Sequence, residues 1–398
     1  MKIIEDYLKR DLGRPELDSW EGIRSAYIER AMMLIRYDYQ SPSYLTSLDS
    51  QAGRRKGKII GNINDYTRDQ HDLAQAYEKK FVREYLPRVS ILPIEAYVTS
   101  SGMAALTTAI VVLHRLQGVD QTVMMGKHSY FQNQEMIRSS FAKVILFDEM
   151  DKKTWQELIK KHDPMAIFVD TLCNEPNLTR PPVADIAKYL AQNIMGKCYL
   201  VIDNSMMATQ FDWKSVLKYR SRNLGIIGWE SLNKYYQFGL DRTTGGIVWG
   251  SSLVLGVAIL QACRHAGTIM PDVNVAMLPT PKKKILQYYL SRIWRNREVL
   301  QHLIGERAVG DGAQVVIKFP KKQSYGKIQQ LIRKIISMAK KDGVQIVAGT
   351  SFGLPNTRIY VTARQTEYSE MFLRISCGAE DKEVFARIAQ IICNLVCI

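Results

Sequence analysis

The sequence has few of the cysteines and histidines that form disulfides and metal sites. It has 6 cysteines and 6 histidines in 398 residues, with neither a paired CxxC arrangement nor histidines at metal-ligand spacing. The cysteines are scattered: Cys173, Cys198, Cys263, Cys377, Cys393 and Cys397. We therefore expect no disulfide framework and no metal site, and a reducing cytoplasm fits best. The opening residues, MKIIEDYLKRDLGR, lack the apolar core of a signal peptide.

Positive charge predominates, but no segment concentrates it. Lys and Arg number 54 against 39 Asp and Glu, which gives a net charge of +15 and a pI near 9.4. Such an excess attracts anionic partners. The basic runs are short and lie beside polar turns or on predicted helix faces, and no recognition motif accompanies them. We expect a solvated basic surface and no nucleic-acid binding.

One stretch without charged residues, 243–263, is long enough to suggest a membrane span. Its first part, TTGGIVWGSS, is interrupted by glycines and serines and is typical of a strand and turn. Its second part, LVLGVAILQAC, is typical of a buried helix. We therefore expect no membrane association.

Apolar runs alternate with helical patterns from residue 95 to 203. The runs EAYVTSSG, TVMMG, KVILFD, MAIFVDT and CYLVIDN predict strands. Strands that are apolar throughout and separated by helices predict an α/β fold with a mostly parallel sheet covered on both faces. A different mixture of helices and strands follows. We expect an N-terminal helix and arm over 1–65, a large domain over 66–265 and a smaller α+β domain over 266–398.

In parallel sheets, ligands bind beyond the carboxyl ends of the strands. That rule selects residues 101–102, 128–130, 170–174, 203–204 and 231–234 for one cleft. The turn at Gly102 suits a phosphate, although small residues there also serve steric needs. Asp203 ends an apolar run and needs a cation or several donors, unless it caps a helix. Lys234 lies in SLNKYYQFG, either as a functional lysine or as a surface lysine at a strand end.

Taken together, these three features suit pyridoxal phosphate (PLP). A lysine amine attaches this aldehyde cofactor, a carboxylate keeps the pyridine nitrogen protonated, and a helix start holds the phosphate. Each feature is common by itself, whereas the combination is specific.

From about Tyr66 to its carboxyl end, the chain resembles the cysteine and methionine metabolism family of PLP-dependent enzymes. That family includes cystathionine γ-synthase, cystathionine γ-lyase and methionine γ-lyase. Seven features occur in the family's order: YTR at 66–68, SSGMAA, Tyr130, CNEPNL, VIDNS, SLNKY and LRISCGAED. The resemblance implies a fold-type-I α/β architecture with a sheet of the seven-stranded type, and a homodimer or homotetramer.

The resemblance also implies residue roles. Lys234, as the Schiff-base lysine, and Tyr130, as acid or base near the leaving group, are the implied catalytic residues; both also bind the cofactor, Tyr130 by stacking on its ring. The other implied cofactor-binding residues are Ser101, Gly102, Met103, Asn174, Asp203, Ser205, Ser231 and Asn233, with Tyr66 and Arg68 reaching the phosphate of the neighbouring subunit. Arg374 is implied to bind the substrate carboxylate, and Ser351 to line the substrate side. An ion pair of Arg374 with Glu380 or Asp381 is the alternative.

The chain departs from the family mainly on the substrate side. Phe131 and Gln132 replace two glycines after the tyrosine, and residues 350–352 replace Glu-Ser-Leu of the substrate loop. Asn233 replaces a threonine before the lysine but can still donate to phosphate. Because the cofactor residues persist while the substrate residues change, we expect an active enzyme with an unusual substrate in specialised metabolism.

The implied activity is γ-elimination or γ-replacement on an α-amino acid through a vinylglycine-type intermediate. Elimination and replacement share their first half, so the sequence does not separate them. Carbon-carbon bond formation on the same intermediate, β-elimination, and a non-enzymatic cofactor-binding role are the alternatives.

Overall fold

The computed structural model describes residues 72–88, 94–319, 323–362 and 371–396. The expected helix and arm over 1–65 lie outside the described residues. The helices are α1 Asp72–Tyr85, α2 Gly102–Gln117, α3 Phe131–Ser140, α4 Lys152–His162, α5 Val183–Asn193, α6 Trp213–Leu217, α7 Leu253–Ala266, α8 Asp272–Met277, α9 Lys283–Ile304, α10 Tyr325–Lys341 and α11 Lys382–Val396. The strands are β1 Glu95–Thr99, β2 Thr122–Gly126, β3 Lys143–Phe147, β4 Ala166–Asp170, β5 Cys198–Asp203, β6 Leu224–Ser231, β7 Gly246–Gly250, β8 Ala308–Asp311, β9 Gln314–Ile317, β10 Val347–Ala348, β11 Arg358–Thr362 and β12 Phe372–Ser376.

Seven strands form the larger sheet, in the order β1-β7-β6-β5-β4-β2-β3. Strand β7 runs antiparallel to its neighbours β1 and β6, whereas the other adjacent pairs are parallel. The expected mostly parallel seven-stranded sheet is therefore confirmed. Because all the strands except β7 point the same way, their carboxyl ends meet at one edge, where ligands of such sheets bind.

Side chains of this sheet enter two separate cores. Ile167 and Val169 of β4 belong to one buried cluster, and Ala166 and Phe168 belong to a second. Side chains alternate across a strand, so the two clusters lie on opposite faces of the sheet. All five residues of β4 are buried as a result, which explains why the strands are apolar throughout.

The stretch without charged residues divides as its sequence predicts. Its glycine-bearing part forms β7, and its apolar part lies in α7, which begins at the N-cap Ser252 and ends before Gly267 with φ 64°. No helix within the described ranges is long and apolar enough to cross a membrane.

The second sheet contains five strands, in the order β10-β11-β12-β9-β8. Helices α9, α10 and α11 contribute to its buried cluster. Two of these strands are short: β8 has four residues, and β10 is only Val347–Ala348. On β12, Leu373 and Ile375 enter this cluster, so alternation directs Arg374 to the other face, which lies toward the larger sheet.

Candidate active site

A cavity of about 610 Å³ lies at the carboxyl edge of the large sheet. Its wall contains every described residue to which the family resemblance gives a role: Ser101, Gly102, Met103, Tyr130, Asn174, Asp203, Ser205, Ser231, Asn233, Lys234, Ser351 and Arg374. Tyr66 and Arg68 lie outside the described residues. The cavity volume is typical of a ligand site.

The start of α2 forms one wall of the cavity. Ser101 is its N-cap, and the Ser101 Oγ accepts a hydrogen bond from Ala104 N at 3.0 Å. A Cβ at Gly102 would lie 2.9 Å from the Cβ of Ser231, so glycine is needed for this close approach. The first N–H groups of a helix lack partners within it and carry partial positive charge. Gly102 and Met103 therefore offer an anion site suited to phosphate.

Asp203 lies at the end of β5 and is held by two donors. Its carboxylate accepts hydrogen bonds from Ser205 N at 2.8 Å and from Asn133 Nδ2 at 3.0 Å. Burial raises the pKa of Asp203, while these bonds and the charge of Lys234 oppose the rise. Asp170 is its register partner on β4, and burial followed by the charge of Asp203 raises the Asp170 pKa as well. A cation placed against Asp203 would favour its ionised form.

Lys234 follows β6 and extends toward the loop before β11. Its Nζ donates a hydrogen bond to Ser351 Oγ at 3.3 Å and lies 4.9 Å from the ring centroid of Phe352. Burial lowers the pKa of Lys234 to about 8; the charge of Arg374 acts in the same direction, and Asp203 opposes it. About half of the amine is then neutral near pH 8, so Lys234 can act as a nucleophile there.

This lowered pKa predicts how fast apoprotein takes up PLP. Attack by the amine needs its neutral form, so the attachment rate should rise with pH up to about 8 and then level off. A lysine at its ordinary pKa of 10.5 would keep accelerating about tenfold per pH unit to beyond pH 10. Stopped-flow absorbance of apoprotein mixed with PLP measures the profile. Arg374→Gln, which removes a neighbouring positive charge, should move the midpoint upward, and an unbroken rise through pH 9.5 would contradict the prediction.

Arg374 is 5% exposed and enters the cavity from β12. Its Nη1 donates to Asn174 Oδ1 at 2.7 Å, and its Nη2 donates to the carbonyl oxygen of Thr350. Its buried Nε has no hydrogen-bond partner within the described part of the chain. Burial lowers the Arg374 pKa to about 10, so the guanidinium stays charged at neutral pH. Such a fork can bind a carboxylate with two hydrogen bonds.

The two acids that were the alternative partners of Arg374 bind elsewhere. Asp381 Oδ1 lies 2.5 Å from Arg292 Nη2. The Glu380 carboxylate accepts a hydrogen bond from Thr357 N. This arrangement favours a ligand role for Arg374 over a structural ion pair.

Tyr130 follows β2 and caps the start of α3. Its N–H donates to Asp170 Oδ2 at 3.0 Å, and its hydroxyl donates to Gln132 Oε1 at 2.9 Å. Burial raises the Tyr130 pKa, and Arg374 opposes the rise. The phenol is thus protonated at neutral pH and is suited to donating a proton.

Two details depart from the sequence prediction. Asn204, selected by the strand-end rule, lies beneath the cavity and not in its wall, because its amide binds Thr171 Oγ1 and the Ala208 carbonyl. Asn233 uses its amide on the neighbouring loop, donating to Thr243 O at 3.3 Å and accepting from Gly245 N at 2.9 Å. Its second amide hydrogen is what it can offer to phosphate.

Sequence reasoning missed Asn133, which lies on α3 and orients the Asp203 carboxylate. Asparagine on a helix after a predicted strand gave no distinct signal. Its contact with Asp203 joins residues 70 positions apart, which only the fold brings together.

A family model for Cys/Met metabolism PLP-dependent enzymes matches residues 39–278, more than half of the chain. The chain belongs to this family. Because members of this family are PLP-dependent enzymes, membership confirms both the cofactor and the enzyme class expected from the sequence. The cavity fits the group, because it combines a helix-start anion site, a buried carboxylate and an amine.

Solved structures share the fold. Cystathionine gamma synthase from Xanthomonas oryzae pv. oryzae, in complex with cystathionine, superposes with a TM-score of 0.66 at 15% identity, covering 85% of this chain and 90% of that one. Cystathionine gamma-lyase from Lactobacillus plantarum, complexed with L-serine, gives 0.67 at 18% identity, covering 85% and 90%. MetB from Corynebacterium glutamicum gives 0.67 at 18%, covering 96% and 99%. The fold-type-I PLP architecture is thereby confirmed.

The chain is also similar to part of a longer protein, the bifunctional enzyme flvA of Aspergillus flavus, with 25% identity over 315 residues. The match covers 72% of this chain but 38% of flvA. The Cys/Met metabolism enzyme described here therefore corresponds to well under half of that protein.

Proposed function

We propose that this enzyme acts on an α-amino acid carrying a leaving group at its γ carbon, by γ-elimination or γ-replacement. The observation that carries the proposal is the convergence of the Lys234 amine, the Asp203 carboxylate and the Arg374 guanidinium in one cavity beside the start of α2. Membership of the Cys/Met metabolism family and structural likeness to γ-synthases and γ-lyases support it.

When bound, PLP supplies an electron-withdrawing ring that stabilises negative charge on the substrate carbons near the amino group. The start of α2 with Ser101, Gly102 and Met103 would hold the phosphate, and Asp203, oriented by Ser205 and Asn133, would pair with the ring nitrogen. Ser231 and Asn233 would add donors for the phosphate, and Asn174 would bind the ring hydroxyl.

The remaining residues act on the substrate. Arg374 binds its carboxylate and thereby fixes the γ carbon relative to Lys234. The Lys234 amine takes the proton from Cα and moves a proton at Cβ, for which a pKa of about 8 is well matched at neutral pH. Tyr130, a neutral phenol, is the acid or base near the leaving group. Phe352 covers Lys234 and keeps water from it.

We also propose a homodimer or homotetramer in the cytoplasm, with Tyr66 and Arg68 completing a neighbouring site. Four buried cysteines, Cys173, Cys198, Cys263 and Cys377, are free thiols, which supports a reducing compartment. The division at residues 65 and 265 stays a prediction; in its favour, the buried cluster of the smaller sheet draws only on residues from Leu300 to Val396. An unusual substrate in specialised metabolism is supported by the altered residues Phe131, Gln132 and Phe352 in the cavity wall.

Paired substrates test the reaction class. Two amino acids that carry the same leaving group, one on the γ carbon and one on the β carbon, are compared with the purified holoenzyme. Release from the γ carbon should be faster by roughly 10–200-fold, the discrimination that a single methylene group typically provides. Chromatography of the released group and of the oxo acid measures both rates. Repeating the assay with added nucleophiles separates replacement from elimination. Faster release from the β carbon would establish the β-lyase alternative instead.

A further inference from the structure

His128 lies two residues before Tyr130 in the same cavity wall, beside a carboxylate that the cavity does not reach. Glu149, which follows β3, is 0% exposed. Its Oε2 lies 3.2 Å from His128 Nδ1, and its Oε1 accepts a hydrogen bond from His128 N at 3.1 Å. A Cβ at Gly126 would lie 2.1 Å from Glu149 Oε1. Glycine at the end of β2 thus makes room for this carboxylate.

The Glu149 contact fixes the imidazole. A carboxylate on Nδ1 favours the tautomer with hydrogen on Nδ1, which leaves Nε2 as the nitrogen that exchanges protons. Nε2 lies 3.9 Å from Glu175 Oε2, too far for a direct hydrogen bond. Glu175 Oε1 is occupied by Thr179. Both His128 and Glu175 line the cavity, whereas Glu149 does not.

The segment that carries His128 is held rigidly. Gln134 Nε2 donates to the carbonyl oxygens of Lys127 and Ser129 at 3.1 and 2.7 Å. Lys127 N donates to Phe147 O at 2.9 Å. A side chain that must exchange protons with a reacting group needs this kind of fixed support.

We propose that His128, oriented by Glu149, is a second proton-transfer residue, which serves the group exchanged at the γ carbon. The proposal rests on the proposed γ-elimination or γ-replacement. When the bond between Cγ and the leaving group X breaks and X keeps the electron pair, the Nε2 proton of His128 moves to X, which departs as HX. The neutral imidazole then takes one proton from water or from the second substrate, and the cycle closes.

The charges around His128 suit this task. Glu149 raises the pKa of His128 through its hydrogen bond, burial opposes the rise, and Glu175 adds to it. Lys127 acts against it, but Lys127 itself pairs with Asp148 at 2.5 Å. The hydrogen bond with Glu149 therefore holds the pKa of the imidazole above its ordinary value and favours the form that carries a proton on Nε2, whereas burial raises the Tyr130 pKa and makes its phenol a weaker acid.

The first test uses apoprotein and needs no turnover. Histidine Cε1 signals are followed by NMR through a pH titration, and His128 is assigned by the signal lost in His128→Gln. We expect a His128 pKa above the ordinary 6.5 that falls in Glu149→Gln. The assignment would be overturned if the His128 pKa were the same in Glu149→Gln as in the wild type. It would also be overturned if the purified protein contained stoichiometric zinc that displaced Glu149 from Nδ1.

The second test uses holoenzyme and separates the two halves of the reaction. Exchange of the Cα proton with deuterated solvent measures the proton transfer by Lys234. Release of HX measures the proton transfer by His128. In His128→Gln, Cα exchange should stay within about twofold of the wild type, while HX release falls by the roughly 10²–10⁴-fold of a lost acid–base group. The loss should shrink for leaving groups of low pKa, which need no proton. His265→Gln, at the exposed end of α7, is the matched control and should change neither rate.

The outcomes distinguish the inference from the function on which it rests. Absence of Cα exchange in the wild type with every γ-substituted amino acid would refute the proposed function. Equal loss of Cα exchange and HX release in His128→Gln would assign His128 a structural role and leave the proposed function standing. Unchanged HX release in His128→Gln would exclude His128 from proton transfer.

Discussion

Lys234→Ala protein is expected to hold no covalently attached cofactor and to lose turnover by at least the roughly 10²–10⁴-fold of a missing general base. Lys234 is the amine in the cavity whose pKa burial brings to about 8. Borohydride reduction followed by peptide mass spectrometry should find the cofactor mass on the peptide containing residue 234 in the wild type and on no peptide in the variant.

Lys197→Ala is the matched control, because Lys197 is exposed on the loop before β5, at the sheet edge opposite the cavity. Its spectrum, cofactor attachment and turnover should equal those of the wild type. Cofactor mass on a different peptide, or an unchanged visible spectrum in Lys234→Ala, would contradict the role of Lys234. Phosphate contacts at the start of α2 do not depend on Lys234, so loosely held PLP in the variant is compatible with the prediction.

The large sheet was predictable because each of its strands and helices carries a recognisable pattern of apolar residues within its own segment. Burial on both faces forces β4 and β5 to be apolar throughout, and the helices between them carry their own amphipathic pattern. The smaller sheet was less predictable. Its strand β10 has two residues, one of which is exposed, so β10 carries no periodic signal. Strand β8 has a single buried residue, Ala308, and offers no alternating pattern either.

The site followed from one rule of topology and the resemblance. Strands that point the same way end at one edge, which gathers Ser101, Tyr130, Asp203 and Lys234 without knowledge of side chains. Contacts across the fold were not predictable. Glu149 reaches His128 because a glycine at the end of β2 leaves space, and neither residue carries a sequence motif.

Arg374→Ala is expected to retain cofactor absorbance and to lose kcat/KM for every amino-acid substrate. Removing one partner of a buried charge pair costs about 2–5 kcal/mol, which corresponds to about 30- to 4,000-fold. The loss arises because Arg374 offers the substrate carboxylate a fork whose Nε has no other hydrogen-bond partner within the described residues. Arg374→Lys keeps the charge but not the fork, so its loss should be intermediate.

An amine that lacks the carboxylate decides between ligand binding and support of the fold. Titrations monitored by absorbance compare an amino acid with its decarboxylated analogue in the wild type and in Arg374→Ala. The amino acid should bind more weakly to the variant, whereas the analogue should be nearly indifferent. Arg374 also donates to Asn174 and to the Thr350 carbonyl, so a purely structural arginine would weaken both ligands alike. Equal losses for the two ligands, together with a lowered melting temperature, would therefore assign Arg374 to the fold, since only direct contact with the carboxylate separates the two ligands.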